Sequence, residues 1–259
     1  MHDPVGVFDS GIGGISVLRE AARLLPHESF LYYGDNANAP YGVRSADEIT
    51  ALTLAALRFL VSLGVKALVI ACNTATATCI DTIRNEFPLP VISTEPAITP
   101  AAKLPGSGKI LMLATPATVR LDRYLSLLSR MPDPKRIVNV PCPGFVERIE
   151  QGAADADAFD DILDRCLSPW HNKKIDGIVL GCTHFVFMRN AIIRYANAHF
   201  VGPTAVFDGC KATALQLERV LHAHGILAPA EGEGRTVFLT SGDASRFDPL
   251  FHKLFTQKE

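Results

Sequence analysis

Short apolar runs alternate along the chain with longer amphipathic segments. The runs are "VGVFD" (5–9), "SFLYYG" (29–34), "ALVIAC" (67–72), "PVIST" (90–94), "KILMLAT" (109–115), "RIVNVP" (136–141), "GIVLGC" (177–182), "AVFDG" (205–209) and "TVFLTSG" (236–242). Each is the length of a strand, and several are apolar almost throughout, as strands covered on both faces of a parallel sheet are. Helices are predicted between most of them, over 45–63, 74–86, 118–129, 155–167, 185–198 and 210–224. Alternation of β and α segments at this spacing predicts doubly wound α/β units.

The pattern also repeats loosely. "VGVFDSGIGGISVLRE" and "ILMLATPATVRLDRYL" both run strand, polar turn, helix. "LVIACNTAT" (68–76) and "IVLGCTHFV" (178–186) share a second layout, an apolar run ending in a cysteine and then polar residues. The offset is near 105 to 110 residues in both cases. The expectation is an α/β fold of two similar doubly wound lobes with mainly parallel sheets and a cleft between them. Lobe one would comprise residues 1–94 and 206–259, lobe two residues 95–205, with the strands from about 206 returning to the first lobe. In open parallel sheets, ligands sit beyond the C-terminal strand ends. Asp9, Cys72, Thr115, Cys182 and Asp208 all fall at such ends.

Composition narrows the function classes. The 259 residues are 48% apolar and 20% charged, with a formal net charge of −2. That balance gives a sizeable core and no broad basic field for nucleic acid. No apolar run approaches the ~20 residues that span a bilayer, so no membrane partner is expected. The N-terminus enters a strand-like run at once, without a basic stretch and apolar signal core, which reads as cytoplasmic. The six cysteines (72, 79, 142, 166, 182 and 210) include no C-x-x-C pair. A zinc site or thioredoxin-type pair is therefore not expected, and a chain this apolar needs no disulfide framework.

The turn "DSGIGGIS" follows a strand and opens a helix, which invites a nucleotide reading. The dinucleotide fingerprint fails because position 16 is Ser, and no GK[ST] follows for a P-loop. A tight turn offering backbone N–H groups to an anion remains. Cys72 and Cys182 invite a different chemistry. A lone cysteine in apolar surroundings is usually a small core residue, but two matched placements on two lobes are harder to set aside. Opposed thiols suit a reaction that removes a proton from one face of a carbon and returns one on the other. Asp9, which on its own would serve equally well as a helix cap, and His184 flank the pair and could set the thiols' protonation. A thiolate is favoured at a helix N-terminus, and each cysteine precedes a predicted helix. No pyridoxal lysine or metal set is evident, so a developing carbanion would rely on fixed dipoles at the strand tips.

Taken together, "GVFDSGIGG", "YGDNANAPYG", "ACNTAT", "TEPAITPA", "CPGFVERIEQG" and "GCTHF" resemble the motifs of the cofactor-independent glutamate racemases, in the aspartate/glutamate racemase superfamily. The resemblance runs over nearly the whole chain. It implies interconversion of L- and D-glutamate for peptidoglycan, with no cofactor and no metal. By motif it implies Cys72 and Cys182 as the two bases, assisted by Asp9 and His184. It implies Ser10, Tyr41, Gly42, Asn73, Thr74 and Thr183 as binding residues, with Asp9 and His184 beside them, and Glu150 in an auxiliary role. The sequence departs from the family at "THFVFM", "ATPATV" and "FDGCKAT". Racemisation of aspartate, a hydantoin or a related substrate, or a non-catalytic two-lobe binding protein, stays open at this point. So does a homodimer, common in such families.

Overall fold

The computed structural model describes residues 3–152 and 156–257. Each of the nine predicted strands forms. Five make one sheet: β1 (Val5–Asp9), β2 (Phe30–Gly34), β3 (Ala67–Ile70), β4 (Val91–Ser93) and β9 (Thr236–Thr240), in the order β4-β3-β1-β2-β9. Four make the other: β5 (Lys109–Ala114), β6 (Ile137–Pro141), β7 (Ile175–Leu180) and β8 (Ala205–Phe207), in the order β6-β5-β7-β8. Every pairing is parallel. The strands with the longest apolar runs take the central places. β1 and β3 are buried throughout, and β5 and β7 nearly so.

The crossovers are α1 (Ile15–Leu24), α2 (Ala46–Ser62), α3 (Asn73–Glu86), α4 (Ile98–Ala102), α5 (Asp122–Ser129), α6 (Phe145–Glu150), α7 (Asp160–Leu167), α8 (Arg189–His199) and α9 (Cys210–Ala223), and α10 (Ala244–Thr256) follows the last strand. α2 starts where a reciprocal cap forms: the Ser45 hydroxyl accepts from Glu48 N–H, and Glu48 accepts from Ser45 N–H. Position 155, the predicted start of one helix, lies outside the described residues. That segment begins instead with a 3₁₀ turn, Ala156–Phe159, ahead of α7.

Three expectations need correction. The helix over 185–198 is preceded by tighter 3₁₀ winding, Thr183–Met188, because the Phe185 N–H bonds to the Cys182 carbonyl in an i→i+3 turn. α8 therefore starts at Arg189. α10 was not expected, since Pro249 interrupts its pattern from within. The strand at 205–207 does not return to the first sheet. It pairs with β7 and completes the β7–α8–β8 unit in the second. The chain crosses back only with α9, which packs on α1 and β4. The two crossings touch: a Cβ on Gly209 would stand 2.7 Å from the Glu95 carbonyl oxygen.

Candidate active site

The four central strands converge at their C-terminal ends, and the sequence places chemistry there. β1 delivers Asp9 and Ser10, the end of β3 delivers Cys72, β5 leads to Thr115, and β7 leads to Cys182. Cys72 and Cys182 face the same cavity, with Ser10, Tyr41, Gly42, Asn73, Thr74, Thr115, Thr183 and His184 among its walls. Its volume is only about 10 Å³, about the room one water molecule needs. A larger cavity of about 550 Å³ lies next to it between α3 and α5, and Asn73 lines both.

Around Cys72, the Ser10 hydroxyl stands 3.3 Å from Sγ, and the Ala75 N–H, at the start of α3, donates to Sγ over 3.4 Å. Burial nevertheless pushes this thiol up to about 12, and the charge of Asp9 adds to the effect. The helix N-terminus does not win here, contrary to expectation. The thiol is fully enclosed, and enclosure disfavours the charged form more than two weak donors favour it.

Cys182 faces a charged partner. Its Sγ lies 3.7 Å from His184 Nδ1, and His184 Nε2 lies 2.6 Å from Glu150 Oε1. Burial alone would pull the imidazolium down. The hydrogen bonds to Cys182 and Glu150, and the charges behind them, outweigh it, and the net direction is well up.

Asp9 is fully buried and is not among the residues lining the cavity. It accepts from the Gly11 N–H (3.0 Å) and from the Thr183 hydroxyl (3.0 Å), a bond that joins the two lobes. Burial raises its carboxyl from 3.8 to about 6 against the pull of His184.

The anion expected at the glycine turn is a side chain. Ile12 N–H donates to Glu150 Oε1 over 2.7 Å, and Glu150 Oε2 accepts from Asn36 Nδ2 over 2.9 Å. Close approach demands glycine here: a Cβ on Gly11 would lie 1.8 Å from Glu150 Oε1, and one on Gly13 would lie 2.3 Å from His184 Nδ1. Tyr41 reaches the cavity, but its hydroxyl is committed to Asp35 Oδ2 at 2.6 Å. Thr74 joins Thr115 and Thr118 in a set of buried hydroxyls, 2.9 to 3.3 Å apart. Asn73 lines both cavities, and its Oδ1 is buried without a hydrogen-bond partner.

Sequence reasoning thus named residues that the fold does bring together. It passed over Thr115 as a wall residue, although its place at a strand end was the available signal. It also passed over Thr118 and Asn36. Among the described residues, no group of three or more His, Cys, Asp or Glu is placed to hold a metal ion. No described helix is long and apolar enough to cross a membrane.

Two doubly wound α/β lobes thus set one cysteine each against a shared, small cavity. Residues 14–217 match the model of the Asp/Glu/Hydantoin racemase family, and the chain belongs to that family. It is 41% identical over 255 residues to a glutamate racemase of Clostridium botulinum, covering 98% of each chain. Among solved structures, the glutamate racemase of Thermus thermophilus in complex with β-chloro-D-alanine is 33% identical. It superposes with a TM-score of 0.80, over 99% of this chain and 94% of that one. The glutamate racemase of Francisella tularensis in complex with D-glutamate is 27% identical, with a TM-score of 0.83, over 99% and 95%.

Proposed function

We propose that this protein interconverts L- and D-glutamate by a two-base reaction needing no added cofactor. The observation that carries the reading is the pair of strand-end thiols, Cys72 and Cys182, lining one cavity. In this reading one sulfur removes the α-proton and the other returns a proton to the opposite face. His184, held from behind by Glu150, exchanges a proton with Cys182 through Nδ1. Asp9 and Ser10 serve the Cys72 side.

The α-proton is very weakly acidic, and a thiol is a poor base for it. Each pKa unit of mismatch adds about 1.4 kcal/mol to the proton transfer. Fixed donors aimed at the substrate carboxylates must supply the compensation. The hydroxyls of Ser10, Thr74 and Thr115 suit that task, and Asn73, in the same wall, offers a side-chain carbonyl for the substrate ammonium. A cavity of about 10 Å³ is too small for an amino acid, so the lobes part to admit substrate and close to exclude water.

We further propose that the second lobe starts at about residue 95 and runs through β8, so that the return to the first lobe falls just after residue 207 and not at 206. The product would serve peptidoglycan synthesis in the cytoplasm, and the protein would act as a homodimer. The comparisons that support glutamate are the names of the relatives and the D-glutamate bound in one of them.

The test is circular dichroism of L-glutamate with protein dialysed exhaustively against a chelator, without pyridoxal phosphate. The signal should decay to zero. Activity that vanishes on dialysis and returns with a metal or pyridoxal phosphate would refute the mechanism. Turnover of aspartate but not glutamate would move the reading to a sister activity.

A further inference from the structure

A continuous run of hydrogen bonds leads from the edge of the first sheet to the thiol of Cys182, with the Glu150 carboxylate accepting from both sides. The Gly242 N–H donates to Thr240 Oγ1 (3.0 Å), at the end of β9. With that lone pair occupied, the Thr240 hydroxyl donates to Asn36 Oδ1 (2.7 Å). The amide is thereby oriented with Nδ2 toward Glu150 Oε2 (2.9 Å). Glu150 Oε1 accepts from His184 Nε2 (2.6 Å), and His184 Nδ1 faces Cys182 Sγ (3.7 Å).

The run changes lobes at one point. Gly242, Thr240 and Asn36 belong to the five-stranded half, while Glu150, His184 and Cys182 belong to the four-stranded half. Ile12 N–H reaches Glu150 from the same side as Asn36. Both carboxylate oxygens are therefore held by donors from the opposite lobe. Space is reserved for the clasp: a Cβ on Gly34 would lie 2.7 Å from Asn36 Oδ1.

We propose that Asn36 is a positioning residue that couples closure of the cleft to the proton relay of Cys182, by gripping Glu150 from the other lobe. With the lobes together, Glu150 is fixed and its Oε1 holds the Nε2–H of His184, which aims Nδ1 at the sulfur. With the lobes apart, Glu150 loses both outside donors, and nothing from the first lobe aligns the imidazole. The Cys182 side is thus competent only when the site is shut. Cys72 has no such dependence, since its donors Ser10 and Ala75 come from its own lobe.

The inference rests on the two-thiol reading above, so its test includes a readout that needs no turnover. Asn36→Ala and Thr240→Val are compared with wild type, the second removing only the hydroxyl that orients the amide. Histidine titration by NMR, with His184→Asn to assign the ring, should show the His184 midpoint falling in Asn36→Ala. It should fall less in Thr240→Val. Charged and titratable groups facing this pair are Asp9, Cys182, Tyr32 and the Arg246 guanidinium, which bonds to the Glu150 carbonyl. All stay in place in both variants.

In turnover, Asn36→Ala should lower kcat on the order of tenfold, the usual weight of a hydrogen bond to a charged group. The primary deuterium isotope effect should change mainly for the enantiomer whose α-proton faces Cys182. An unmoved His184 midpoint in folded Asn36→Ala would overturn the inference. So would equal loss in both directions with an unchanged isotope effect. If wild type fails to racemise glutamate while the NMR shift is as expected, the substrate reading fails and the clasp survives.

Discussion

Asp9 gives a prediction whose size follows from the structure. Its carboxyl is raised from 3.8 to about 6, chiefly by burial. In the unfolded chain the group ionises near 3.8, so a raised folded value favours the fold at low pH. That contribution is full below about pH 4 and is lost as pH rises through about 6. Once both states are ionised, the gap corresponds to about 3 kcal/mol. At about pH 4.5 only about 1 kcal/mol of it has been lost, so about 2 kcal/mol remains to be lost by about pH 7.5. Asp9→Asn has no charge to bury. It does lose an acceptor, since the amide oxygen cannot serve both the Gly11 N–H and the Thr183 hydroxyl, but that loss does not depend on pH. The variant should therefore gain about 2 kcal/mol on wild type between about pH 4.5 and 7.5, whatever its absolute stability. Urea unfolding of both proteins across that range, without substrate, measures the difference. Curves that stay parallel, or a wild type that gains on the variant as pH rises, would refute the burial argument. Racemisation by the same variant should fall, so stability and activity move in opposite directions near neutral pH.

Other expectations follow from the site. Cys72→Ala and Cys182→Ala should each abolish racemisation, yet each should still eliminate chloride from a β-chloro-glutamate of one enantiomeric series, and the two should choose opposite series. Elimination from the same series by both would end the two-base reading. His184→Asn should slow proton transfer on the Cys182 face roughly 10²- to 10⁴-fold, seen in isotope effects with α-deuterated enantiomers; near wild-type rates in both directions would remove its role. Gly11→Ala should expel Glu150 from its place, since the added carbon would lie 1.8 Å from Oε1, and should reproduce much of the loss caused by Glu150→Gln. An alanine variant with wild-type kcat would show that the close approach is dispensable.

The strands were legible because buried parallel strands must be apolar along their length, and short apolar runs bounded by polar turns mark them off from longer apolar helices such as α2. The strand-end cysteines were legible for a related reason: polarity switches abruptly where a run leaves the sheet. The sheet to which β8 belongs was not legible, because three part-buried residues, Ala205–Phe207, carry no mark of their partner. The upward shift of Cys72 was not legible, because the local cue, a helix N-terminus, is readable from neighbours, whereas burial follows from the whole fold and the added charge effects come from Asp9 and Cys182, far off in sequence. Glu150 was placed by motif alone. Its partners Ile12 and Asn36 lie 138 and 114 positions away, a separation that no periodicity encodes. Asn36 stood within a quoted loop, and only the fold reveals what its amide holds.

The contact between Gly209 and Glu95 has a consequence for how the molecule can be taken apart. The two strands of chain that join the lobes run side by side there, and Thr213 Oγ1 bonds to Thr94 Oγ1 at 3.2 Å across them. The second lobe is thus an insert whose entrance and exit meet at one place, as the ends of self-contained domains often do. Cutting at both crossings and bridging the remaining ends with a short turn would leave the five-stranded sheet with all its pairings. The excised piece would keep β5 to β8 complete. Each would carry one of the two cavity thiols and part of the cavity wall. Mixed in solution, the two fragments would have to find each other through the contacts that cross the cleft, Asp9–Thr183, Ile12–Glu150, Asn36–Glu150 and Thr74–Thr115 among them, so reassembly measures how much that boundary holds without a covalent link.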